Sequence, residues 1–225
     1  MRPEFGTHQR NRNRAMRGID ANEQTQTRPK RYTPACRREA RIILCSRTTR
    51  IGHPDTTMNP PLPSRTLILM RHARAIAGGP LLEDHDRPLH PKGTSDATRV
   101  AERLRARGLA PDRILTSTAR RAMETAARVR DVFALPASQL ESDRRIYHAD
   151  AYELLALIQE CGDAAKTIMV VGHNPTLSHM GSLLVGRTVH METADLLVIT
   201  HPAASWPRLA LDGRATIRFH ASPET

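Results

Sequence analysis

Leu67-Ile68-Leu69-Met70-Arg71-His72-Ala73 and, far downstream, Ile168-Met169-Val170-Val171-Gly172-His173-Asn174-Pro175 are the two stretches on which the fold turns. Each is an apolar, strand-like run that ends abruptly at a histidine, with Arg or Gly just before it. Open α/β sheets present catalytic groups in this way, with a buried strand delivering a polar, titratable side chain at its carboxyl end. Two such endings, with a basic cluster between them, point to chemistry on phosphate.

Around these runs, strand and helix patterns alternate from Thr66 onward. Strands are expected over 66–71, 112–116, 167–172, 195–200 and 214–220, and helices over 92–107, 119–133, 150–161 and 175–186. Apolar residues recur at helical spacing, as in Ala97, Val100, Ala101 and Leu104, or Ala122, Ala126, Val129 and Phe133, and they read as core. Gly108 and Gly162 stand where helix ends want them. The alternation predicts a three-layer α/β/α sandwich around a mostly parallel central sheet. Its last two strands follow one another without a clear helix, so an antiparallel edge is expected.

The 225 residues suit one domain plus an extension. Residues 1–64 carry 13 Lys and Arg against 5 Asp and Glu, a net of +8 out of +11 for the whole chain. They are poor in aliphatic residues and should be disordered, because they cannot bury enough apolar surface to offset ordering entropy. An over-extended start, with Met58 as initiator, is the preferred reading of this segment. A tail attracted to nucleic acid or a membrane surface is the other. Residues 65–225 form the folded domain. No apolar run approaches the roughly 20 residues of a membrane span, and Ile42-Ile43-Leu44-Cys45 is too short for a signal-peptide core. Cys36, Cys45 and Cys161 form neither a disulfide framework nor a zinc pattern, which favours the cytoplasm.

The polar groups fall at strand ends. Arg71 and His72 follow the first strand, Ser117, Arg120 and Arg121 the second, and His173 and Asn174 the third. In parallel strands all three sets open onto one crevice. Helices beginning near 118 and 175 aim their free N–H groups there. Two guanidiniums and two imidazoles in one crevice call for an anion, and Arg suits a phosphoryl group's geometry. One neutral histidine then attacks phosphorus, and water resolves the phospho-histidine. The nucleotide-binding glycine loop, the zinc-binding His-Glu-x-x-His helix, the phosphatase cysteine motif and the Gly-x-Ser-x-Gly elbow are absent. No metal or other cofactor is called for.

In these motifs the chain resembles the histidine phosphatase superfamily, which includes phosphoglycerate mutases and acid phosphatases. Arg71-His72-Ala73 is similar to its Arg-His-Gly signature, with Ala in third place. Ser117-x-x-x-Arg121-Ala122-x-x-Thr125 and Gly172-His173-Asn174 match its second-arginine and second-histidine motifs. Asp86-Arg87-Pro88-Leu89-x-x-x-Gly93 and Tyr147-His148-Ala149 look most like the short SixA-type phosphohistidine phosphatases. The likeness spans about residues 66–220 and implies a phosphoglycerate mutase-like fold.

By that resemblance His72 is the nucleophile, while Arg71, Arg121 and His173 form the phosphate pocket. Ser117, Asn174 and Arg87 are further candidates for binding substrate, with helix capping the alternative for Ser117, where it is slightly favoured, and for Asn174, and loop anchoring the alternative for Arg87; His148 is a residue to watch. Arg74 and Arg120 read as surface charges, and Trp206 as packing. Longer relatives carry a Glu proton donor in an insertion; here the interval 134–150 is short. Asp143 is the nearest candidate acid, ahead of Asp150 and Glu153. A short interval leaves the site open to a phosphohistidine displayed on another protein, the preferred substrate. A small-molecule phosphomonoesterase or mutase with a phosphorylated metabolite, and a non-catalytic phosphoprotein-binding module, are the alternatives. Nucleic acid is not the favoured partner, and no membrane is expected.

Overall fold

The computed structural model describes residues 63–224, so the basic extension expected over 1–64 lies outside the described residues apart from Pro63 and Ser64. Strand β1 (Arg65–Arg71) leads through a loop to helix α1 (Pro91–Ala106), β2 (Arg113–Ser117) and α2 (Arg120–Phe133). Then come β3 (Leu140–Asp143), the single turn α3 (Arg145–His148) and α4 (Ala151–Gln159). The chain continues through β4 (Thr167–Gly172), α5 (Thr176–Val185), β5 (Leu196–His201) and β6 (Thr216–Ala221). The six strands form one sheet in the order β3-β2-β4-β1-β5-β6. The pairings β3–β2, β2–β4 and β4–β1 are parallel; β5 alone is reversed, pairing antiparallel with β1 and β6. The antiparallel edge is thus present, with β6 turned back into the common direction.

Alternation along β1 explains the layers. Side chains on a strand face opposite ways in turn. Leu67 and Leu69 enter one core with Leu154, Ile158, Leu177 and Leu184 of α4 and α5. Ile68 and Met70 enter the other with Val100, Leu104, Ala126 and Val129 of α1 and α2. Because both faces are covered, the inner strands read as unbroken apolar runs rather than as alternation. Trp206 is fully buried and donates its indole N–H to the Ala165 carbonyl at 2.6 Å, a packing role.

The expected elements recur with ends shifted by one or two residues. The interval 134–150 holds two elements that were not expected, β3 and α3. Gly108 does end α1, at φ +67° with its N–H on the Arg105 carbonyl. Gly162 is not placed in the left-handed region, and α4 ends before it with Glu160 in the right-handed region; Gly186, at φ +68°, stops α5. Gly93 answers a different need. A Cβ there would lie 2.1 Å from the Arg74 carbonyl oxygen, so only glycine lets the first turn of α1 close over the chain just past His72.

Gly93→Ala should therefore destabilise the domain by about 1–3 kcal/mol, since the atoms it would clash with all belong to the Arg74 backbone. Gly79→Ala, where the added methyl meets nothing within 4 Å, should leave the urea midpoint unchanged. Equal midpoints for the two variants would refute the close-packing argument.

Candidate active site

The strand order brings the carboxyl ends of β2, β4 and β1 side by side, and with them Ser117, His173 and the Arg71-His72 pair. His72 is pinned on both sides by backbone, donating its N–H to Gly172 at 3.0 Å and accepting from Ala194 at 3.2 Å. Its Nδ1 lies 2.9 Å from the Ala73 carbonyl. A carbonyl can only accept, so Nδ1 carries the proton and Nε2 is left with a lone pair. Arg121 Nε donates to that Nε2 at 3.2 Å. The Ala73 N–H is held by the Thr125 hydroxyl, which donates in turn to the Arg121 carbonyl at 2.7 Å.

Arg121 stands in the first turn of α2, its side chain 7% exposed. Besides His72 it is bound by Asp84, through the backbone carbonyl and through Oδ2 at 2.8 Å. Asp84 also accepts from Arg87 Nη1 and from the Tyr147 hydroxyl, each at 2.8 Å. The His173 ring lies 5.0 Å from that of His72, its Nε2 2.9 Å from the Ser117 hydroxyl, and the Tyr147 ring stands edge-on to it at 5.3 Å. Arg71 Nη1 donates to the Met191 carbonyl at 3.0 Å, and Glu192 lies 3.8 Å from the same nitrogen. Two buried nitrogens of this cluster, Arg71 Nε and His173 Nδ1, have no protein partner.

Burial pushes both imidazoles towards neutrality. The His72 pKa falls to about 4, chiefly by desolvation and then by the charges of Arg121 and Arg71, against the opposing Ala73 bond. That of His173 falls to about 3, by burial and then by His72 and Arg121. Arg87 and Tyr147 hold the Asp84 carboxyl well below the usual carboxylate range, and burial, with Asp84 beside it, pushes the Tyr147 hydroxyl up. The cluster is a neutral nucleophilic nitrogen among guanidiniums, a setting suited to an anion. Among the described residues no three His, Cys, Asp or Glu are grouped to hold a metal ion.

His72, Arg71, Arg121 and His173 are thus brought together, with Ser117 behind His173. Arg87 joins through Asp84. Asn174 is turned elsewhere: its amide N–H donates to Met191 at 2.7 Å and its oxygen accepts from Ser178, bracing α5 against the loop that holds Arg71. Asp143 accepts from Arg145 at Oδ1 and Oδ2, which holds it ionised, and none of its bonds reaches the His72 cluster. Asp150 and Glu153 form the capping box of α4. Arg120 is engaged by Glu124 at 2.8 Å. Asp84 and Tyr147 are the residues that sequence reasoning passed over. The Tyr147-His148-Ala149 motif carried a signal, but Tyr147 rather than the exposed His148 contacts His173.

The model of the histidine phosphatase superfamily (branch 1) matches residues 67–146. An uncharacterised protein of Mycobacterium leprae is 30% identical over 167 residues, 67% of this chain and 98% of its own length. A solved structure assigned as the phosphohistidine phosphatase SixA of Nakamurella multipartitia superposes with TM-score 0.61 at 28% identity, covering 72% of this chain and 98% of that one. Its Agrobacterium tumefaciens counterpart gives 0.61 at 26% identity, over 72% and 99%. No helix among the described residues is long and apolar enough to cross a membrane.

Two outcomes follow from the depressed histidines. The acid limb of kcat/KM should fall near pH 4 rather than near the ordinary 6.5, because His72 stays neutral down to that point. Stability should drop as pH falls from 6.5 towards 4, where the unfolded chain binds protons that the folded one refuses. Urea titrations across that window test the sign; a rise in stability would contradict the burial argument. Asp143→Asn should leave kcat/KM unchanged in the same assays.

Proposed function

The chain belongs to the histidine phosphatase superfamily, and from that membership we propose a specific course for its phosphatase reaction. His72 is the nucleophile, its Nε2 attacking phosphorus while Nδ1–H stays on the Ala73 carbonyl. The observation that carries this is a single contact: Nε2, unprotonated, 3.2 Å from the buried Arg121 Nε. A phosphoryl group entering there meets Arg71 and Arg121 around its equatorial oxygens. The Ser117 hydroxyl accepts from the Ala119 N–H at 3.2 Å, and in this course it gives its own proton to His173 Nε2, which lies 2.9 Å away. His173 then keeps its proton on Nδ1, an otherwise unpartnered donor for a phosphoryl oxygen. The leaving group departs, water attacks the phospho-His72, and the P–Nε2 electron pair returns to the ring. The course needs no metal.

Phosphohistidine on a protein is the substrate class of this proposal. Support comes from the two similar structures assigned as SixA phosphohistidine phosphatases and from the short interval between α2 and α4. The ionised state of Asp84, the carboxyl bound to Arg121, supports it too, because a departing imidazole needs less help from an acid than an alcohol does. A cytoplasmic setting belongs to the same proposal, supported by the buried free thiol of Cys161.

Labelled phosphate should be trapped on His72 by a neutral or alkaline quench after mixing with a phosphohistidine peptide, and found there by peptide mapping. His72→Ala should lose at least about 10⁴-fold in kcat, and Arg121→Ala about 10³-fold. Label on another residue, or none, would overturn the mechanism.

A further inference from the structure

Asp84 is not accounted for by phosphate binding. A carboxylate inside an anion pocket opposes the anion, yet this one is tethered three times over. Its place is set by the Arg121 guanidinium, whose Nε and Nη2 donors share one edge of the plane. His72 Nε2 takes the first and Asp84 Oδ2 the second, so the nucleophile and the carboxylate are neighbours on one fork. They differ in depth. Asp84 is 54% exposed, whereas Arg121 is buried and His72 half-buried. The carboxylate therefore sits at the solvent-exposed side of the cluster, where a group entering from outside can reach it.

Its acceptor capacity is only partly used. Two carboxylate oxygens offer about four lone-pair positions. Arg121 and Tyr147 fill two on Oδ2, and Arg87 fills one on Oδ1. One position on Oδ1 remains, on a group held as carboxylate beside the Tyr147 ring. That ring already stands edge-on to His85 at 5.1 Å and to His173 at 5.3 Å, a wall suited to another flat ring.

We propose that Asp84 is the leaving-group acceptor of this site, receiving an N–H of the departing group and so selecting phosphorus–nitrogen substrates over phosphate esters. The proposal rests on the phosphohistidine reading above. In the step itself, His72 Nε2 forms a bond to phosphorus as the bond from phosphorus to the substrate's ring nitrogen breaks. The electron pair returns to that nitrogen, and the proton on the ring's other nitrogen stays there, hydrogen-bonded to Asp84. Neutral imidazole leaves with no proton transferred. An ester gives Asp84 nothing to accept and leaves its charge facing a departing oxygen that is gaining charge of the same sign.

The test compares kcat/KM for a phosphohistidine peptide, for phosphoramidate and for p-nitrophenyl phosphate in the full chain and in Asp84→Asn. The ratio of either nitrogen substrate to the ester should fall by about tenfold or more in the variant, the worth of a hydrogen bond to a charged group. Tyr147→Phe keeps the ring and removes one tether, so its ratio should fall several-fold, and it carries the comparison if Asp84→Asn fails to fold. Parallel losses on all three substrates, or unchanged ratios, would overturn the role of Asp84 and leave the phosphohistidine reading standing. A wild-type chain that cleaves phosphoramidate in an Asp84-dependent way but ignores the peptide would do the reverse. No turnover of any nitrogen substrate overturns both.

Discussion

Arg121 enters the interior at the start of α2 with its side chain 7% exposed, and a guanidinium so placed is tolerable only when acceptors surround it. Asp84 supplies a carbonyl and a carboxylate oxygen, and His72 supplies a ring nitrogen. Much of the site follows from that requirement. The turn at Asp84–Asp86 has to lie against the start of α2, where His85 reaches the Thr118 hydroxyl at 3.0 Å. His72 has to keep its proton on Nδ1, because a second donor facing Arg121 Nε would be repelled. Burial first, and this guanidinium after it, lower the basicity of both histidines, so the ion that makes the pocket positive also helps to keep His72 neutral.

The single reversed strand matters as much as the parallel ones. In a wholly parallel sheet, the edge that carries His72, Ser117 and His173 would meet only strand carboxyl ends. Because β5 runs the other way, its amino end lies on this edge, and the turn from Met191 to Asp195 arrives with it. That turn gives the Met191 carbonyl to both Arg71 and Asn174, and the Ala194 N–H to the His72 carbonyl. Ala194 holds φ at +64°, a conformation unfavourable for a residue with a Cβ. Tight closure of the loop against the His72 backbone is bought at that local strain.

Legibility in the sequence tracked burial. Strands β1, β2, β4 and β5 announce themselves because both sheet faces are covered, so each is an apolar run with a polar residue at its end. Leu140-Glu141-Ser142-Asp143 has one apolar residue and lies at the sheet edge, where neither face demands more; β3 was invisible for that reason. Residues at strand ends were readable because their neighbours are. Asp84 was not: it sits in an irregular stretch beside Glu83 and Asp86, and nothing local distinguishes three carboxylates of which one meets a buried arginine. Asn174 shows the converse. Adjacency to His173 left it open between the pocket and a helix cap, and the chain turns between them, sending the amide to Met191 and its oxygen to the Ser178 N–H and hydroxyl in α5.

With phosphohistidine as the proposed substrate, the proposed first step has a symmetry that the site matches. When phosphorus passes from one imidazole to another, the bond made and the bond broken are alike, and so is the charge on each side. His72, as the proposed nucleophile, holds its distal N–H on the Ala73 carbonyl. The departing ring, in the arrangement proposed for Asp84, keeps its own distal N–H on a carboxylate. Neither ring then exchanges a proton, and a general acid has nothing to do. For an oxygen leaving group the symmetry is lost, since an alkoxide must take a proton from somewhere. The carboxyl nearest the mouth, held ionised by Arg87, Tyr147 and Arg121, has none to give.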